Sequence, residues 1–117
     1  MTCTVKKYDI CLEKGATFDS LSVHWEKAGS IQDLTGYSAV WQVRPSKTDS
    51  TIILESSTAN GDLTIDANNE IIYNIPAAKT DLLTFTTGQY HCLEITKGTF
   101  VKRMFEGICS LNLGGNV

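Results

Sequence analysis

No run of apolar residues in this 117-residue chain approaches the ~20 that a membrane-crossing helix needs. The opening MTCTVKKYDI turns charged before an apolar stretch of signal-peptide length develops, so the chain is expected to fold where it is made, in a cytoplasm. Basic residues cluster no further than the pairs Lys6-Lys7 and Lys102-Arg103, and the formal net charge is −3. Neither nucleic acid nor a membrane is an expected partner of such a chain. The cysteines, Cys3, Cys11, Cys92 and Cys109, include no CxxC pair, which excludes a local zinc knuckle or a thioredoxin-type motif. GxSxG, Walker-type and GxGxxG motifs are absent as well. Apolar residues seldom recur at the helical period, which leaves little room for helix.

What the chain does have is alternation with a period of two. Hydrophobic residues make up 42% and charged residues 20%, a globular balance, and the length suits one domain with one core. Residues 1–117 are read as that single domain, with a core over about 5–113 and a flexible tail at 114–117. In DLTGYSAVWQVRP, Gly36 makes a turn, and Tyr37, Ala39, Trp41 and Val43 then share one face until Pro45 ends the strand. Leu21, Val23 and Trp25 alternate with Ser20, Ser22 and His24 in the same manner. Val5–Leu12, Thr51–Ser57, Glu70–Ile75, the run opened by Gly88 and the return strand after Gly98 complete the pattern, while Asn60-Gly61 marks a tight turn. Gly107, inside the last strand, points to a bulge or a close backbone approach. Pro76 followed by Ala77 and Ala78 predicts one short helical turn near 76–84. About seven strands with turn signals every ~8–12 residues predict an all-β fold, a single antiparallel β-sandwich of immunoglobulin-like size. Trp25, Trp41, Val43, Leu93 and Ile95 are its expected core.

Residues suited to chemistry are scattered. His24 and His91 each sit alone in an alternating strand, with no HxH or HxxxH spacing for a metal. His91 and Cys92 are adjacent, so they point to opposite faces of a strand and make a poor nucleophile–base pair. Asp62, Asp66, Asn68 and Glu70 surround a turn and offer oxygens to calcium, but without the spacing of an EF-hand loop. No catalytic, cofactor-binding or metal-binding residue is assigned, and the protein is expected not to be an enzyme. The cysteines are read chiefly as reduced apolar fillers. A cross-strand disulfide between Cys92 and Cys109 stays open, because a hairpin at Gly98 would join their strands.

Three ordered segments carry a resemblance. The first is KGATFDSLSVHWEKAGSIQDLTGYSAVWQVRPSKTDSTIILE, the second GDLTIDANNEIIYNIPAAKTDLL and the third GQYHCLEITKGTFVKRMFEGICSL; together they span residues 14 to 111. Their order and lengths resemble the tail-fibre collar and attachment family of tailed bacteriophages, small β-sandwich virion proteins. That resemblance implies a structural virion protein, a tail, neck or collar subunit made in the host bacterial cytoplasm. It further implies homo-oligomers or rings that dock tail fibres or neighbouring tail proteins, with no cofactor. The four cysteines depart from the usual pattern. Sandwiches have unpaired edges that a partner strand can extend, and Val5, Lys7, Lys102 and Met104, on the chain-end strands, are the expected interaction edge. The alternative is a carbohydrate- or receptor-binding module, for which Tyr8, Tyr37, Tyr73, Tyr90 and Phe100 are the candidate aromatics; their even spread along the chain predicts no cluster. A secreted or pilus-type adhesin is a third reading, disfavoured by the N-terminal sequence.

Overall fold

The computed structural model describes residues 6–113; Val5, Cys3 and the tail at 114–117 lie outside the described residues. The fold is mostly β, with strands β1 (Ile10–Glu13), β2 (Ser22–Val23), β3 (Glu26–Lys27), β4 (Ser30–Ile31), β5 (Ser38–Arg44), β6 (Leu54–Ser57), β7 (Leu63–Ile65), β8 (Ile71–Tyr73), β9 (Gln89–Lys97) and β10 (Phe100–Asn112). One four-residue helix, α1 (Ala77–Thr80), follows Pro76. Alternation explains β5, whose residues run exposed, buried, half-buried, buried, half-buried, buried, half-buried. Pro76 sets an extended φ of −66° ahead of α1, and Lys14 satisfies carbonyls beyond its end, donating to Leu83 at 2.7 Å.

Five strands form one sheet in the order β1-β10-β9-β5-β6, three form a second in the order β2-β8-β7, and β3-β4 is a separate ribbon. The β9–β10 hairpin turns at Gly98, whose φ of +61° suits glycine. Between the two sheets lies one core. Leu12, Trp41, Val43, Leu93 and Ile95 enter it from the larger sheet, Leu63, Ile71 and Tyr73 from the smaller, and Leu34 and Ile75 from the connections. Trp41 stands edge-on to Tyr73 at 5.6 Å, across the two sheets.

Four sequence expectations are corrected here. The ladder is not antiparallel throughout: β1 runs parallel to β10, with Ile10 opposite Cys109 and Glu13 opposite Asn112. No hairpin joins the first and last strands, so nothing in the connectivity forces them antiparallel. The described strands number ten, in three groups, rather than about seven. Trp25 lies outside the buried core, half-buried against its surface. Nor do Cys92 and Cys109 meet: Cys92 sits opposite Glu106 and Cys109 opposite Gln89, and both thiols are free. Three positions of stagger put them on opposite faces about 10 Å apart along the strands, beyond the reach of a disulfide. Of the two readings of Gly107, the close approach is the one found, because a Cβ there would lie 2.3 Å from the Tyr8 carbonyl oxygen. The register shift of β10 falls between Arg103 and Phe105 instead.

Candidate functional site

β10 is a long strand whose two edges are unequally used. Along one it pairs with β9 from Phe100 to Cys109. Along the other, its described partners begin only at Glu106, which bridges Lys7, exchanges bonds with the amide of Tyr8 at 2.9 Å and the carbonyl of Lys6 at 3.0 Å, and leads into the β1 ladder. Upstream of Glu106, no described strand covers residues 100–105. A groove of about 760 Å3 runs there, between residues 101–105 on one wall and 21–26 on the other, closed at one end by Lys6 and Tyr8. Consecutive residues of β10, from both faces of the sheet, line it, so it follows the strand's edge rather than either face.

Part of the groove lining is apolar, and an aromatic cluster adjoins it through Trp25. Leu21, Val23, Met104 and Phe105 line it. Trp25 stacks on Phe100 with ring centroids 6.0 Å apart and 21° between planes, and Tyr37 meets both rings edge-on. Lys102 lies 5.3 Å from the Trp25 ring centroid and Lys97 5.5 Å from that of Tyr37, each as a cation over an aromatic face. The even sequence spread of aromatics predicted no cluster. The hairpin at Gly98 and the turn at Gly36 nevertheless bring Phe100 and Tyr37 together with Trp25.

The outer face of the same sheet carries a buried carboxylate. Glu106, only 3% exposed, accepts hydrogen bonds from Lys7 at 2.6 Å, Lys47 at 3.3 Å and the Tyr90 hydroxyl at 2.9 Å. The bond from Lys7, with those from Tyr90 and Lys47 and against the cost of desolvation, holds its carboxyl down at about 2. Desolvation, and then the bond to Glu106, push the Tyr90 hydroxyl up from its ordinary value. Arg103 turns to Glu94 with two bonds of 3.1 and 3.3 Å, and Arg44 lies over the Tyr90 ring. Glu106 is thus a clamp that ties the N-terminal segment to β10.

His91 fixes the same segment from the core side. It is fully buried; its Nδ1 accepts the Trp41 indole N–H at 3.0 Å, so its Nε2 carries the proton and donates to the Tyr8 carbonyl at 2.6 Å. Burial pushes its pKa below the ordinary 6.5, opposed by the Tyr8 carbonyl and the Asp9 charge.

The expected interaction edge divides. Lys102 and Met104 line the groove, whereas Lys7 faces away from it toward Glu106, and Val5 lies outside the described residues. Trp41, Val43, Leu93 and Ile95 are fully buried. Asp66 folds back on its own turn, accepting from the amides of Asn68 and Glu70, while Asp62 pairs with Lys79 and Ser56. Among the described residues no three His, Cys, Asp or Glu side chains converge on a metal position, and no helix is long and apolar enough to cross a membrane. No local pattern signals the Glu106 clamp, since Lys7 and Lys47 stand 99 and 59 residues away. Compared with known proteins, the chain matches no family model and no curated sequence.

Proposed function

We propose that the protein is a non-enzymatic structural subunit of a tailed-bacteriophage virion. In this reading it is a β-sandwich building block of the tail, neck or collar, made in the host cytoplasm, that oligomerises and docks tail fibres or a neighbouring tail protein. The observation that carries the reading is the stretch of β10 over residues 100–105 that no strand among the described residues covers, beside a groove. An edge strand left unpaired invites a partner strand, and assembly proteins use that invitation. The ordered resemblance over residues 14 to 111 supplies the virion context. The test is complementation: host cells are infected with phage lacking this gene, with and without the gene in trans, and complete tails and fibres are counted by electron microscopy. Loss of complete particles, restored in trans, is the expected result; normal particles from the clean deletion would refute the structural role.

One observation favours a second reading, a carbohydrate- or receptor-binding module: the cluster of Trp25, Tyr37 and Phe100, which adjoins the groove through Trp25. A glycan array with the purified protein, repeated with Trp25→Ala, separates it from the first. Binding that depends on Trp25 would move the assignment to recognition of sugars.

A further inference from the structure

We propose that residues 1–5 of this chain fill the groove themselves, running beside the first residues of β10 as a parallel continuation of the β1 pairing. Direction comes from the described part of that pairing. Glu13 faces Asn112, Ile10 faces Cys109 and Lys7 faces Glu106, all in parallel and all at one offset. The Glu106 amide donates to the Lys6 carbonyl at 3.0 Å, and Lys6 lines the groove. The chain therefore enters the groove at Lys6 already running along β10 toward Phe100. Length agrees, since five residues of strand span about 16 Å, as much as residues 100–104 of β10. Composition agrees as well. In MTCTV, Thr2, Thr4 and Val5 are β-branched, which suits a strand, and no side chain is charged. The groove lining carries Lys6, Lys102 and Arg103 against one carboxylate, Glu26, so a neutral segment meets no like charge there, whereas a basic one does.

Residues paired in a ladder share a face, and that fixes the neighbours of each side chain. Lys7 lies on the outer face with Glu106, and Lys6 on the groove side. The register shift of β10 between Arg103 and Phe105 inserts one extra residue, so beyond it the offset falls by one. Val5 then lies beside Arg103 and Cys3 beside Val101, on the outer face. Thr4 lies beside Lys102 and Thr2 beside Phe100, facing the wall that holds Val23 and Trp25. Val101 is 58% exposed among the described residues, and Cys3 and Val5 are placed to cover it. The inference does not depend on the virion reading. An edge covered by its own chain resists indiscriminate pairing. Where a partner strand docks on residues 100–105, as proposed above, it must displace residues 1–5.

The test is disulfide trapping in the full-length protein. Cys11→Ser removes the exposed thiol, while Cys92 and Cys109 stay buried. Val101→Cys in that background sets a thiol opposite Cys3, about 4.8 Å away across the ladder and within the Cα range of a disulfide. Ser22→Cys, on the opposite wall of the groove, is the control. On oxidation with diamide, Val101→Cys is expected to link to Cys3 within one molecule, at a rate independent of protein concentration. That rate should exceed the control's by about tenfold, because pairing fixes the two thiols side by side. The link is mapped by mass spectrometry of tryptic peptides. A link from Cys3 of one molecule to the introduced thiol of another would show a second copy on the edge and overturn the proposal. Equal rates in Val101→Cys and the control would overturn it too. Amide exchange followed by NMR needs no new thiol and covers a variant that fails to fold. Deleting residues 2–5 should speed exchange within 100–105 by about tenfold, the scale of one or two lost hydrogen bonds, and leave 107–112 unchanged. Unchanged exchange within 100–105 would likewise overturn the proposal. Counting of complete particles tests the docking role separately, and neither result decides the other.

Discussion

Replacing Trp41 with phenylalanine isolates one hydrogen bond in the core. Trp41 and His91 are both fully buried, and the indole N–H donates to His91 Nδ1 at 3.0 Å. Phenylalanine keeps an aromatic ring against Tyr73 but leaves Nδ1 without a donor, in a place no solvent reaches. An orphaned buried acceptor costs about 1–3 kcal/mol, and the smaller ring adds about 1 kcal/mol of lost burial and cavity. Trp41→Phe should therefore destabilise the protein by about 2–4 kcal/mol, a sizeable share of the ~5–15 kcal/mol of an ordinary domain. His91→Leu should also be costly, since it strands the indole N–H and the Tyr8 carbonyl. The double variant removes both ends of the Trp41–His91 bond, so its cost should fall short of the summed singles by about 1–2 kcal/mol. Urea unfolding followed by circular dichroism measures all four proteins, provided the slope with denaturant is unchanged. Costs that add to within about 0.5 kcal/mol would refute the coupling. The pH dependence gives a second check. His91 resists protonation in the folded state, while the unfolded chain takes up a proton near the ordinary 6.5. The folded state's advantage is thus complete above 6.5 and is lost as the pH falls through the lower folded value; His91→Leu should abolish that loss.

Two further predictions concern polar groups on either side of the large sheet. Glu106→Gln, which removes the charge that Lys7 and Lys47 share, should destabilise by about 1–2 kcal/mol at neutral pH, because both lysines can return to water. Since its folded carboxyl sits at about 2 against an ordinary 4.5, the contribution of Glu106 is complete above 4.5 and lost as the pH falls toward 2. The gap between wild type and variant should narrow across that window, and a gap constant with pH in acid titration of thermal stability would count against the clamp. Tyr73→Phe should leave stability unchanged or raise it by about 1 kcal/mol in denaturant unfolding, since the buried hydroxyl has no hydrogen-bond partner among the described residues. A loss above about 1 kcal/mol would mean that the hydroxyl is satisfied after all.

The sequence by itself determined the local features. Period-two alternation in SAVWQVR places Trp41 and Val43 on one face whatever the strand meets, because the pleat is a property of the backbone. Gly98 turns the last hairpin because it accepts a positive φ, and Pro76 opens the one short helix because its φ is already set. Tertiary structure decided the features that depend on distant neighbours. Alternation in SLSVHWE is as regular as in β5, yet Trp25 stays half-buried, because how deep a face lies depends on what the opposite sheet covers. The parallel pairing of β1 with β10 joins chain ends, for which no turn residue can signal a direction. That pairing starts at Glu106, carries the Lys7 clamp and the His91 bond to Tyr8, and among the described residues leaves the first half of β10 uncovered on that side. The candidate groove is therefore a consequence of register between strands about a hundred residues apart, which a local pattern of residues does not encode.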